Sequence, residues 1–356
     1  MVSLVIQRNS EPNPDLLLHI NVMEHFAPHS SSVFEGYYSK FFLPSGASLA
    51  LIICSVPQAS ERPHMVSFTY VPQDVSKIFQ KELWVKRIER IRTGPGNAFE
   101  LLVPGIGHVK CGPDSTTEFA LEHEDFSFHA KTKNRTPWAP RKDTPEGLLV
   151  HLPLPLHWHV HSLSSDCDFS LSIPSQELPT VDRHGTAIVH QEKNWAKSFP
   201  KSHIWIQARD GARGFCCAGG QLLGMQAYLL GYRSADYVID FQPPFALQAF
   251  GIAPFMSVDI DWESRAFKLS VQNFRQKIVV HATAPAGTFF GLSAPFSDGH
   301  RENYLGESFQ AILNVEVYRS GLFGAWRLLC EDRFEGAALE FGGGYYPCRG
   351  TEKKRN

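Results

Sequence analysis

Residues 190–231 read HQEKNWAKSFPKSHIWIQARDGARGFCCAGGQLLGMQAYLLG, and their pattern decides the fold class. A polar opening (Glu192, Lys193, Asn194, Trp195) passes through Phe199-Pro200-Lys201 into an alternating run. In that run Ile204 and Ile206 fall on one side, and Trp205 and Gln207 on the other. Period-two alternation is a strand signal. The Gly219-Gly220 pair then breaks an apolar run and starts a further strand-like segment. Two tryptophans with Glu, Lys, Asn and Gln beside one strand suit a ligand cavity, which combines apolar surface with a few placed polar groups.

The same habit runs through the rest of the chain. EGYYSKFFL and ASLALIICSV flank the turn Pro44-Ser45-Gly46, and further strand-like pieces lie at 64–71, 84–91, 98–103 and 118–123. Only 74–86 has a helical possibility, 131–147 reads as a polar surface loop, and Leu16-Leu17-Leu18 as a strand or packed arm. After a second loop at 174–185 short strands resume, from 203–208 through 310–318 to 337–341. About 17 strands with turn residues between them predict an all-β chain of antiparallel barrels or sandwiches. The shift in composition divides it into 1–180 and 181–356.

A chain of 356 residues is long enough for two full cores. A formal net charge of −2 gives no electrostatic reason to expect nucleic acid as a partner. The 26 Phe, 10 Tyr and 7 Trp suit a β-rich interior and a hydrophobic cavity. Seven cysteines at scattered spacing, with no CxxC pair, indicate neither a zinc knuckle nor a disulfide framework. The N-terminus lacks the basic and long apolar regions of a signal peptide. No window approaches 18 uninterrupted apolar residues. A cytoplasmic protein without a transmembrane segment is therefore expected, with peripheral membrane contact left open and the oligomeric state undetermined. There is no GxGxxG opening a βαβ unit, no HExxH and no GxSxG, so Rossmann, zincin and α/β-hydrolase readings drop out.

EKNWAKSFPKSHIWIQ followed by AGG resembles a characteristic element of the plant-type tocopherol cyclase family. Phe34-Glu35-Gly36-Tyr37-Tyr38 is similar to that family's FEGWY opening, and Ala337-Ala338-Leu339-Glu340-Phe341-Gly342-Gly343-Gly344 to its A-A-L-E-V-G-G-G close. The departures are Tyr37 for Trp, Ala196-Lys197-Ser198 for a Gly-rich step, and Tyr345-Tyr346 for Pro-Trp. The resemblance implies two lipocalin-like antiparallel β-barrel or sandwich domains around a ligand cavity. It also implies an intramolecular cyclase that needs no cofactor and closes a chroman ring by adding a phenol oxygen across a prenyl double bond.

Such chemistry needs an acid for the alkene carbon, a group to take the phenolic proton, and a pocket that folds the chain and excludes water. The acid candidates are Glu35, Glu192 and Asp298. Glu35 shares a strand face with Tyr37, where a carboxyl between aromatics has its pKa raised, or it pairs with Lys40 or the backbone. Lys193 polarises a substrate oxygen or pairs with Glu192, while Asn194 and Gln207 orient that oxygen. Trp195, Trp205 and Tyr37 supply walls, and Glu340 offers a carboxylate beside a Gly-rich turn. The histidines of His157-Trp158-His159-Val160-His161 share one strand face. They span about 13 Å, too far for all three to reach one ion, so no metal is assigned and His157 and His159 are hydrogen-bonding candidates. The substrate expected is a lipophilic prenylated or terpenoid molecule of secondary metabolism. A hetero-Diels–Alder closure of a quinone methide with an alkene would form the same oxygen ring without a strong acid. A carrier that releases its ligand unchanged is the reading from a different class.

Overall fold

The computed structural model describes residues 25–139, 144–197, 199–222, 224–321 and 324–347. They form two antiparallel sheets, as the alternation predicts. The first runs through β1 (Phe34–Phe42), β2 (Ser48–Ser55), β3 (His64–Val71), β4 (Phe79–Trp84), β5 (Glu89–Arg92), β6 (Phe99–Val103), β7 (Gly107–Cys111), β8 (Thr117–His123), β9 (Phe126–Thr136), β10 (Leu156–Ser172) and β11 (His184–Ala196). The second comprises β12 (Ser202–Asp210), β13 (Arg213–Leu222), β14 (Met225–Arg233), β15 (Val238–Phe241), β16 (Leu247–Gln248), β17 (Met256–Asp261), β18 (Ala266–Gln272), β19 (Gln276–Thr283), β20 (Phe290–Phe296), β21 (Gly299–Ser320) and β22 (Trp326–Gly343).

The first sheet has the order β4-β3-β2-β1-β11-β10-β9-β8-β7-β6-β5, so its first and last strands are neighbours in the middle. The second repeats the device, β15-β14-β13-β12-β22-β21-β19-β18-β17, with β16 beside β14 and β20 beside β21. The change from one sheet to the other falls between Ala196 and Ser202. Each sheet curls until distant strands touch across its concave side. Phe68 of β3 stacks on Phe126 of β9 at 4.0 Å, and Phe41 of β1 meets Phe119 of β8 at 5.2 Å. Trp262 fills the corresponding place in the second sheet, against Phe289, Phe341 and Tyr346. A third apolar cluster, including Trp158, Val160, Trp205, Leu305 and Phe309, lies between the sheets. The architecture is all-β and lipocalin-like in both halves.

Two local expectations give way. The 74–86 stretch holds only a 3-10 turn, Val75–Lys77, because the Asp74 side chain accepts the Ser76 N–H and caps a single turn. Beyond it, Phe79 to Trp84 pair with β3 instead of continuing a helix. Of 131–147, residues 131–136 belong to β9 and their polar composition is its wet face: Thr132 is buried, while Lys133 pairs across the surface with Asp168. The polar segment from Asp298 to Glu307 is largely the start of β21, paired with β20. Leu16-Leu17-Leu18 lies outside the described residues.

Candidate functional site

Strand alternation sorts the predicted site residues onto opposite faces. In the β1–β11 pair, Gly36 opposes Asn194 and Tyr38 opposes Glu192, and these look toward the second sheet. Glu35 opposes Trp195 and Tyr37 opposes Lys193, and these side chains turn into the concave interior of the first. On the facing sheet, Trp205 opposes both Glu340 of β22 and Ala218 of β13. The inter-sheet space contains a cavity of about 370 Å³. Its lining draws on both sheets, with Tyr38, Ile52, Trp158, Glu192, Asn194, His203, Trp205, Leu229 and Glu340 among the residues.

A buried polar cluster bridges the sheets, and its members Tyr38, Glu192, His203 and Glu340 line this cavity. Tyr38 Oη donates to Glu307 Oε1 at 3.1 Å, and its ring meets that of Trp205 at 5.0 Å. Lys40 Nζ donates to Gln207 Oε1 at 3.3 Å and sits 4.5 Å from the ring centres of Phe42 and Phe309. His190 Nε2 lies 3.0 Å from Glu192 Oε2, and His203 Nε2 lies 2.5 Å from Glu340 Oε1. Gly342 makes the latter contact sterically feasible, since a Cβ there would lie 1.8 Å from the His203 ring. Burial pushes the Glu307 carboxyl well above the usual range, and the neighbouring Glu340 and Glu192 add to the effect. Lys40 and Tyr38 act in the opposite direction without reversing it. Burial also brings Lys40 down to about 7, despite the opposing pull of Glu307. Glu307 is thus held as a neutral acid beside Tyr38, and its Oε2 has no partner among the described residues. Trp205 Nε1, in the cavity wall, is likewise buried without a partner.

The other group of candidates forms a separate cluster inside the first sheet. Lys193 pairs with Glu35 at 2.6 Å, not with Glu192 beside it, because adjacent residues of a strand face opposite ways. Arg90 reaches Glu35 Oε2 at 2.9 Å, and Lys193 Nζ also donates to the carbonyl oxygens of Phe26 and Ala27. Burial raises the Glu35 carboxyl, but the Lys193 charge and hydrogen bonds from His29 and Lys193 outweigh it and hold the group at about 2. Glu35 is therefore an ionised member of an internal salt bridge, the reverse of a raised-pKa acid. Trp195 is stacked between His29 at 4.1 Å and His157 at 4.9 Å. His157 Nδ1 contacts Glu146 Oε2 at 2.8 Å, and His159 is buried near His25 and Phe26.

Asp298 lies apart from both clusters, exposed in the turn before β21 and paired with Arg301. Of the groups expected to act together, Glu192, Asn194, Trp205 and Glu340 line the inter-sheet cavity, and Gln207 holds Lys40 beside it. Tyr37 and Lys193 border it from β1 and β11 while their polar ends point inward. Among the described residues, the one set with metal-compatible spacing is His123, Glu124 and Asp125, remote in sequence from the HWHVH histidines. The sequence reading missed Tyr38, His203 and Glu307. It offered Lys40 as a partner of Glu35, whereas Lys40 faces the other way on β1 and meets Gln207 while Glu35 pairs with Lys193 and Arg90. The available signal was alternation, since Tyr38 and Lys40 share a face with Gly36, and His203 shares one with Trp205 and Gln207.

No family model and no curated protein matches the chain by sequence. Solved structures do match its fold. A crystal structure of CghA with Sch210972 aligns with a TM-score of 0.58 at 12% identity, covering 87% of this chain and 88% of that one. Kievitone hydratase from Nectria haematococca gives 0.53 at 8% identity over 90% and 92% of the two chains. A protein assigned as AttH from Nitrosomonas europaea gives 0.51 at 12% identity over 96% and 99%. The two-sheet architecture is therefore shared over nearly the full length of proteins with very different sequences.

Proposed function

We propose that the protein is a cyclase that closes an oxygen heterocycle on a lipophilic, prenylated or terpenoid small molecule held between its two sheets. The observation that carries this reading is the Tyr38–Glu307 pair, a neutral buried acid hydrogen-bonded to a hydroxyl in the wall of a largely apolar cavity. An alkene is a weak base, so its protonation requires a positioned acid and a site that keeps water from the cation. Glu307 is the acid. The Tyr38 hydroxyl, itself held above its ordinary pKa by burial and the nearby carboxyls, relays the proton, passing its own to the less substituted alkene carbon in concert with taking one from Glu307. The phenol oxygen then bonds to the tertiary cation, and its proton passes to the Glu340–His203 pair. Substrate and product are isomers, and proton return to Glu307 completes the cycle. The tocopherol cyclase-like motifs support ring closure. The CghA structure with Sch210972 supports occupancy of this fold by a small molecule, and the hydratase neighbour supports addition to an unsaturated acceptor.

A second reading has its own observation. Trp205 Nε1 is a buried donor in the cavity wall without a partner, suited to polarise a carbonyl in a hetero-Diels–Alder closure that transfers no proton. Mass spectrometry of purified protein with a prenylated hydroquinone, and separately with a quinone methide and an alkene, divides the cases. An isomeric product from the hydroquinone, lost in Glu307→Gln, is expected. A stereoselective adduct from the pair alone moves the assignment to the pericyclic route. Tight binding with both substrates returned unchanged refutes catalysis and leaves a carrier.

A further inference from the structure

Residues 242–255, QPPFALQAFGIAPF, contain no charged side chain. The segment starts at the cavity, where Pro243 and Leu247 belong to the lining, and runs outward to a two-residue hairpin tip. Ala249 and Ile252 exchange backbone hydrogen bonds at 3.1 and 2.9 Å around Phe250 and Gly251. Both tip residues have positive φ, 53° and 76°. That geometry ordinarily selects Asn-Gly, because a bulky L-residue in the left-handed region is disfavoured. Here the position holds a phenylalanine that is 96% exposed, followed by an Ile252 that is 69% exposed. Neither folding nor core packing accounts for that choice.

A second tip projects alongside. Phe274, between β18 and β19, is 77% exposed and completes a triangle with Phe245 and Phe255, with ring centres 5.2 to 6.2 Å apart. The cleft next to these rings has a volume of about 640 Å³ and includes Arg275 and Arg319 in its lining, with no carboxylate. Exposed aromatics flanked by arginines match an anionic phospholipid surface. The rings enter the boundary between headgroups and acyl chains while the guanidinium groups meet lipid phosphates. From the uncharged segment, its tip geometry and the flanking arginines, we infer that this end of the second sheet docks on an anionic membrane. The segment that carries this face also lines the cavity through Pro243 and Leu247, so a lipophilic ligand partitioned in the bilayer would reach the site along 242–255. The inference concerns where the protein works and does not depend on the reaction it performs.

Flotation of the full chain with vesicles of phosphatidylcholine alone, or with about a third phosphatidylserine, tests it. Wild type is expected to float with the anionic vesicles and to be released by salt. Phe250→Asn removes the apolar group while supplying a residue suited to the turn. It is expected to weaken binding on the order of tenfold with thermal stability unchanged or raised. Neutralising Arg275 or Arg319 to Gln is expected to cost about fivefold each on anionic vesicles and little on neutral ones. Failure of wild type to float, or flotation of Phe250→Asn equal to wild type, overturns the inference. Self-association abolished by Phe250→Asn, without vesicle binding, would reassign the surface to a second copy of the chain.

Discussion

Replacing Glu307 by Gln separates what the carboxyl does for the fold from what it does for chemistry. Glu307 is fully buried with its pKa raised by burial and by the neighbouring carboxyls, so the folded protein keeps it neutral while the unfolded chain ionises it. For a carboxyl whose folded pKa is raised, stability is fully present below the unfolded pKa, near 4.5, and declines as pH climbs toward the folded value. In that window each pH unit costs about 1.4 kcal/mol, and Gln is exempt. Lys40 does not obscure the effect well below its folded pKa of about 7, because it is charged in both states there. Between about pH 5 and about pH 6, the urea stability of wild type should therefore fall relative to Glu307→Gln by roughly 1 to 1.5 kcal/mol. The variant should meanwhile lose ring-closing activity by roughly 100- to 10,000-fold, the range for removal of a general acid. Wild-type activity should decline as pH rises through the raised pKa. Parallel stability curves would refute the buried neutral acid, and a stable, fully active variant would refute its catalytic role.

Glu35→Gln leaves Lys193 buried beside Arg90 without its carboxylate, and should destabilise the fold by about 3–5 kcal/mol as read by denaturant melts. Because Glu35 is held near 2, its stabilisation is present above about 4.5 and fades as pH falls toward 2. Acid melts of wild type should register that loss, and those of the variant should not. Gly342→Ala would drive a methyl group into the His203 ring and break the contact with Glu340. Loss of a charge-assisted hydrogen bond there should reduce turnover on the order of tenfold or more, while circular dichroism of the sheets stays unchanged.

How much of this was legible follows the range over which each contact acts. The alternation of Ile204, Trp205, Ile206 and Gln207 is a local signal, and it correctly separates the second core, which takes Ile204 and Ile206, from the inter-sheet side, which takes Trp205 and Gln207. The same rule divides EKNW: Glu192 and Asn194 reach the cavity while Lys193 and Trp195 turn away. Adjacency in a motif therefore joins residues that the pleat sets apart. The proposed acid was not legible. Tyr38 and Glu307 are 269 positions apart and meet only because two independently formed sheets pack face to face. Nothing in the local sequence around Glu307 distinguishes it from a solvated strand carboxylate. Glu35 misleads for the same reason, since its aromatic neighbours suggest an acid and its distant partners Arg90 and Lys193 make it an anion.

The arrangement of strands gives the pocket an unusual origin. Its walls are built around β1 and β11 from one sheet and β12 and β22 from the other, which are the first and last strands of each half. Each half draws its whole hydrogen-bond ladder from its own strands, and the chain passes from one to the other once, between Ala196 and Ser202. A backbone opened within that crossing would yield two polypeptides, each retaining a complete ladder but only half of the pocket. The site then exists only as a conjunction of the two. Ligand should act as the adhesive that restores it, making this connection a natural seam for a reporter assembled by its own small molecule.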